Sequence, residues 1–406
     1  MRHRLLHIEQ WGHMGPVSIG TFYNVVPEKI DSVINYLTTR CKEIISANPW
    51  MTYYLEKDPY DREIYLTERK NKDVTQISVF QNDKVFEQKN GLYHVKKIIK
   101  IVRPLQPDLI DICIKTKEPL FRLIVTYNSE KTKLLAMCSI HHSMGDAYTL
   151  YQIWKMFDKS SPIISMSAER DTKFLEKMTS EMGFAHHWPL IKPSKKILAV
   201  EVMTLAARNI IKSLAKPYLN RQVEYYSIAS EEIEHRKSKQ EPGKFVSTND
   251  ILTSWFLSKF DITCTYEAVM LRNRVPGITD RMAGSYLGIL GLREDEVKSP
   301  GKHRSYLYDV LENKKQDTAW RSSLFESGGV VSNWASFYRP VSLPDAEEVF
   351  HIPLLDIARY KLFLKEAMLF VFKSNVEDTC IISFNFSNKK INFLEDDMVN
   401  KIVAFE

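Results

Sequence analysis

The chain lacks the features that define several whole classes of protein. It has only five cysteines, Cys41, Cys113, Cys138, Cys264 and Cys380, scattered through mostly apolar runs with no CxxC pair. That argues against zinc fingers and a disulfide framework, and it fits a reducing, cytoplasmic compartment. No uncharged apolar stretch approaches the roughly 20 residues that a membrane span needs. Arg2 and Arg4 are not followed by the long apolar run of a signal peptide. The net charge of +6 is diffuse, and no zinc-finger or RNA-binding signature accompanies it, so nucleic acid is not the expected partner. There is no GxSxG elbow, Walker loop or GxGxxG fingerprint, which disfavours serine hydrolases of that type, P-loop enzymes and dinucleotide binders. Repeats and low-complexity tracts are also missing.

Against these absences stands one dense stretch, His141-His142-Ser143-Met144-Gly145-Asp146-Ala147. The apolar run from Lys133 to Ile140 predicts a buried strand leading into it. Ala147, Leu150, Tyr151, Trp154 and Phe157 predict a helix leading out, with one apolar face. Two histidines therefore sit at the end of a rigid strand and an aspartate sits where a helix begins. Histidine suits proton transfer near neutrality because its unperturbed pKa is about 6.5. A bland alternative stands beside this reading, in which Asp146 is only an N-cap and the histidines are satisfied core residues. A second pair, His186 and His187, has Ile191 where the carboxylate would fall, and it reads as loop. Adjacent strand residues point to opposite faces, so His141 and His142 cannot easily share one metal ion, and no metal site is expected.

The 406 residues suffice for two domains, or two similar halves around one cleft, and 44% apolar with 26% charged content is ordinary for a globular chain. In order, a first strand lies within 1–26. A helix then opens at Pro27, with Ile30, Val33, Ile34, Leu37, Cys41, Ile44 and Ile45 on its apolar face, and stops at Asn48-Pro49-Trp50. Short strands and a basic stretch (Lys96, Lys97, Lys100, Arg103) follow. A strand over Leu120–Tyr127 turns at Asn128-Ser129-Glu130 into the central strand. Residues 160–222 read as a crossover carrying a helix over Ala199–Leu214, with Arg208, Lys212 and Lys216 on one face. The second half restarts with a strand at Glu224 and a charged, mobile loop over His235–Gly243. Ser247-Thr248-Asn249-Asp250 then starts a helix. Strands are expected at 266–275, 285–292, 330–336, 348–355, 363–373 and 379–387, and a closing helix at Glu395–Phe405.

His141 to Ala147 resembles the HHxxxDG signature of the chloramphenicol-acetyltransferase-like superfamily, which includes condensation domains, BAHD acyltransferases and wax-ester and alcohol acyltransferases. Ala147 replaces the usual Gly, a small change at a helix start. "STNDILTSWF" (247–256), "LRNR" (271–274) followed by Gly284-Ser285-Tyr286-Leu287-Gly288, and "VSNW" (331–334) resemble later segments in the same order. The likeness therefore spans most of the chain. The DFGWG motif is missing; Pro344-Asp345-Ala346-Glu347-Glu348 stands in its place, which argues against a plant-type BAHD enzyme.

The resemblance implies an α/β (α+β) fold of two chloramphenicol-acetyltransferase-like subdomains, each a mixed sheet flanked by helices, with an active-site tunnel between them. The divisions expected are 1–165, a crossover 166–222, and 223–406. The implied activity is acyl transfer from a thioester to a hydroxyl or amine, in secondary or lipid metabolism. His142 would be the general base, His141 a supporting residue, and Asp146 the partner of Arg272 in a structural salt bridge; a surface charge is the alternative for Arg272. Ser332, Asn333 and Ser254 are candidate oxyanion or substrate contacts, each with a structural alternative. Gly284 and Gly288 read as serving backbone geometry. No permanent cofactor is implied; acyl-CoA or acyl-phosphopantetheine is the co-substrate, the latter bringing an acyl carrier protein as partner. The basic residues at 192–196 and 235–239 could meet donor phosphates or could be solvated loops. Two other readings stay open: a non-catalytic acyl-binding or scaffold member of the fold, and a membrane-surface lipid acyltransferase using the 199–216 helix.

Overall fold

A computed structural model describes residues 1–10, 15–70, 76–182, 222–241, 245–312, 328–356, 367–387 and 389–405. The second histidine pair, the basic helix at 199–216 and the basic residues at 192–196 lie outside them. Among the described residues, no helix is long and apolar enough to cross a membrane.

The strand Lys133–Ile140 is buried along nearly its whole length. Its apolar run has no polar face because a strand lies on each side of it. Val17–Val25 pairs with it from Val17↔Ile140, and Phe121–Tyr127 from Phe121↔Ile140, both antiparallel. Asn128 makes the turn between the last two strands, its side-chain oxygen accepting from the backbone N–H groups of Thr132 and Lys133. Ile77–Gln81 completes one edge in parallel, and Ala346–Pro353 completes the other. The helix Ile30–Ala47 buries Ile30, Val33, Leu37, Cys41 and Ile44 against this first core.

The larger sheet has nine strands in the order Leu287–Arg293, Cys264–Met270, Gly328–Asn333, Ala367–Lys373, Thr379–Asn385, Gln222–Ile228, Val399–Phe405, Leu92–His94 and Gln88–Lys89. Both sheets mix parallel and antiparallel pairs, and helices flank them, so the molecule has the two-lobed mixed α/β architecture expected. A small third sheet joins Arg2–Arg4, Ile64–Thr67 and Tyr54–Lys57. Three strands cross the divisions drawn along the sequence. Ala346–Pro353 belongs to the first sheet, and Leu92–His94 with Gln88–Lys89 to the second. Each lobe thus contains chain from both halves.

Several local expectations are corrected. The closing helix is a strand, Val399–Phe405. Its two valines and isoleucine suit a strand, and the segment finds backbone partners on both sides, antiparallel in Gln222–Ile228 and parallel in Leu92–His94. The loop expected over His235–Gly243 is a helix through Ser238, spanning Ser230–Ser238. Arg236 and Lys237 pair there with Glu232 and Glu234 of the same helix, so those basic groups are already matched. The basic stretch near residue 96 lies on a helix, Val95–Val102, whose other face is buried.

Two buried histidines bridge elements with opposite electrostatics. His303 lies between Asp250 (Nδ1–Oδ1 2.8 Å) and Glu267 (Nε2–Oε2 2.5 Å), and Arg304 also reaches Asp250. Burial alone would lower its pKa, but the two carboxylates overcome that and raise it to about 10. His351 bridges Thr21 and Tyr151, both neutral, and burial lowers its pKa to about 3. The signs follow from proton counting. His303 stabilises the fold fully below pH 6.5 and loses that contribution as pH rises through about 10. His351 stays neutral in the fold while the unfolded chain takes up a proton below 6.5, so stability falls as pH drops from 6.5 toward 3. Urea unfolding across pH should therefore show a maximum between these limbs. His351→Asn should flatten the acid limb by up to about 1.4 kcal/mol per pH unit, and His303→Gln the alkaline one. Limbs unchanged in both variants would contradict this assignment.

Candidate active site

The buried strand Lys133–Ile140 delivers the motif to the end of the first sheet, and the helix Ala147–Lys155 leaves it. His141 is turned inward and acts as a knuckle. Its N–H bonds the Leu120 carbonyl at 2.7 Å, its carbonyl accepts from Met144 N at 2.8 Å, and its ring Nδ1 accepts from Ser143 N at 3.0 Å. His142 is half-buried. Its Nδ1 lies 3.3 Å from the Ser285 hydroxyl, and that hydroxyl donates to the His142 carbonyl at 3.2 Å. No hydrogen bond among the described residues engages its Nε2. Burial pulls the His142 pKa below 6.5, against the opposing pull of the Asp146 charge and of its own backbone oxygen.

Asp146 does cap the helix, its carboxylate accepting from Thr149 N at 3.0 Å, but it also does more. Arg272 meets it as a fork, Nη1 to Oδ2 at 2.7 Å and Nη2 to Oδ1 at 3.2 Å. Arg272 is 2% exposed. Its strand ends at Met270, five residues before the expected end at 275, and the arginine lies in the turn that follows. Nε donates to Met282 O and Nη2 to Thr149 Oγ1 and Gly284 O, and the rings of Tyr148 and Tyr286 lie over the guanidinium. All three guanidinium nitrogens thus donate, as a buried charge of this kind requires.

A second buried ion pair backs the same loop from the other side. Arg170 Nε donates to both Glu9 oxygens, at 3.1 and 2.9 Å. Its other nitrogens hold the carbonyls of Ala168, Ala283, Ser143 and Met144. Glu9 in turn accepts from Leu6 N and Ser285 N, both at 2.8 Å. Gly284 sits between the two clamps with φ +136°, where an added Cβ would fall 3.0 Å from both Arg170 Nε and Glu9 Oε1. Here glycine is needed for both conformation and space. Glu9, Arg170 and Ser285 are the residues that sequence reasoning missed. The first two are single charges 161 residues apart with no local pattern, and Ser285 was noted only as part of a glycine run.

The structure brings His141, His142, Asp146 and Arg272 together. Ser332, Asn333 and Ser254 belong to the second lobe, and no hydrogen bond among the described residues joins them to the motif. Ser332 Oγ accepts from Trp334 Nε1 at 2.9 Å. The Asn333 side chain bonds Asn249 and the Ala335 N–H. The Ser254 hydroxyl is buried in the helix Thr248–Leu257 with no partner among the described residues. Gly288 sits in a regular strand. Among the described residues, no group of three or more His, Cys, Asp or Glu could hold a metal ion.

The fold these elements build, with the histidine motif at the end of the first sheet, is the two-lobed chloramphenicol-acetyltransferase-like fold. It is similar across the full length of both chains to F. sporotrichioides TRI101 crystallised with coenzyme A and T-2 (TM-score 0.64, 13% identity). It is also similar to polyketide synthase associated protein 5 from Mycobacterium tuberculosis (TM-score 0.60, 11% identity, 97% of this chain and 95% of that one). A third likeness is the condensation domain of the monacolin K polyketide synthase MokA (TM-score 0.55, 12% identity, 95% and 92%). At these identities the likeness is one of fold. No protein-family model matches the chain, and no curated protein matches it in sequence.

Breaking either side of the fork strands a buried charge. Arg272→Ala and Asp146→Ala should each cost about 3–5 kcal/mol in urea unfolding, and the double variant clearly less than their sum. Additive losses would mean that the two groups are not coupled.

Proposed function

We propose that the protein is an acyltransferase that moves an acyl group from a CoA or carrier-protein thioester to a hydroxyl or amine, with His142 as general base. The observation that carries this is the His142 ring. It stands at the end of a rigid strand, one nitrogen engaged by Ser285 and the other without a protein partner among the described residues. Its depressed pKa keeps it neutral, and so able to accept a proton, at physiological pH. The relatives of known structure support the choice of donor, since one was crystallised with coenzyme A.

In this reading His142 Nε2 takes the proton of the acceptor as its oxygen or nitrogen attacks the thioester carbonyl. The tetrahedral intermediate collapses, the C–S bond breaks, and the imidazolium returns the proton to the leaving thiolate. The acyl group passes directly, with no acyl-enzyme and no metal. Asp146 and Arg272 aim the loop and touch neither substrate. Ser332 is the preferred oxyanion donor among the three candidates. Its oxygen accepts from Trp334, and no partner among the described residues takes its own proton. Asn333 is engaged by Asn249 and Ala335. The passage for both substrates would run between the lobes, where the motif of the first meets the 271–286 segment of the second.

Incubation with a panel of acyl-CoAs and small alcohols and amines, read by thiol release and product mass, tests this. Turnover is expected, and His142→Ala should lower it about 10²–10⁴-fold without unfolding the chain. The pH dependence of kcat/KM should rise through an inflection below 6.5 and stay level above neutrality. No turnover on any acceptor would overturn the reading and favour a non-catalytic acyl-binding protein, and full activity in His142→Ala would remove His142 as the base.

A further inference from the structure

We propose that Ser285 is a positioning residue that sets the tautomer of His142. A serine hydroxyl has one hydrogen. The His142 carbonyl can only accept, so in the 3.2 Å contact that hydrogen comes from Ser285. The same oxygen lies 3.3 Å from His142 Nδ1 and, its hydrogen already given, can only accept there. The proton of the neutral ring therefore sits on Nδ1, and the lone pair is left on Nε2. The opposite tautomer would set two lone pairs against each other. Fixing one ring nitrogen fixes what the other can do.

Ser285 is held where this requires. Its N–H donates to Glu9 Oε1 at 2.8 Å. The preceding carbonyl, of Gly284, is held by Arg272 Nη2 and accepts from Thr149 Oγ1 at 3.1 Å. The two buried ion pairs thus grip Ser285 from either side, with Gly284 in the left-handed conformation between them. The serine itself is fully buried, which separates this role from that of a nucleophile, because its hydroxyl cannot meet a substrate. The consequence for catalysis rests on the transferase reading, in which the lone pair on Nε2 is the base. The tautomer itself does not depend on it.

The test uses the full chain with ¹⁵N-labelled histidine and a long-range ¹H–¹⁵N spectrum near neutral pH, with His142 assigned by its loss in His142→Gln. The expected result is a protonated, pyrrole-type Nδ1 and a pyridine-type Nε2. In Ser285→Ala the two nitrogen signals should move toward each other as the tautomers mix. With turnover measurable, kcat in that variant should fall about 10-fold with KM little changed. A proton on Nε2 in the unaltered chain overturns the proposal with no variant needed. So does a tautomer that is the same in a folded Ser285→Ala. The expected tautomer in a chain that turns over no thioester would support the role of Ser285 while removing the transferase reading.

Discussion

The geometry of this molecule depends on one buried ion pair. Asp146 and Arg272 come from different lobes, and their fork joins the helix that follows the histidine motif to a turn of the second sheet. Two buried charges are costly in a low-dielectric interior, and such a pair adds little net stability over apolar residues of similar size. Its value lies in direction. A planar guanidinium that reaches Asp146, Thr149, Gly284 and Met282 at once permits very few arrangements of the loops that carry those atoms.

The Glu9–Arg170 pair repeats the device on the opposite side of the same loop. Its guanidinium gathers four backbone carbonyls of 143–144, 168 and 283, and its carboxylate takes the N–H of Ser285. Between the clamps His142 has little freedom at the backbone. Its ring sits deep enough for burial to disfavour the charged form. A neutral imidazole on a rigid mount is what the proposed proton transfer asks for. The exchange of strands between the sheets serves the same end, since neither lobe can shift far without breaking a ladder of the other.

The parts legible in sequence were those whose signal is local. The buried strand before His141, the capping aspartate and the helix from Ile30 each rest on periodicity or on a neighbouring residue, and the order of the motifs carried the fold. The illegible parts needed partners distant in sequence. Val399–Phe405 is a strand flanked by two others, and its valines and isoleucine alone do not name those partners. Glu9 and Arg170 are isolated charges until folding brings them together. Arg272 could be placed opposite Asp146 through the family likeness alone. Two of its acceptors, the carbonyls of Met282 and Gly284, come from the turn 271–286, which includes the left-handed residues Asn273, Gly277 and Gly284.

The central claim is that the free nitrogen of His142 faces the place where an acyl thioester and its acceptor meet. The most direct measurement is a crystal structure of the protein soaked with S-ethyl coenzyme A, an unreactive thioether in place of the thioester. The account predicts the thioether sulfur within about 4 Å of His142 Nε2, close enough for a proton to pass directly or through one water. A ligand bound elsewhere, or a sulfur separated from the ring by packed side chains, would contradict it.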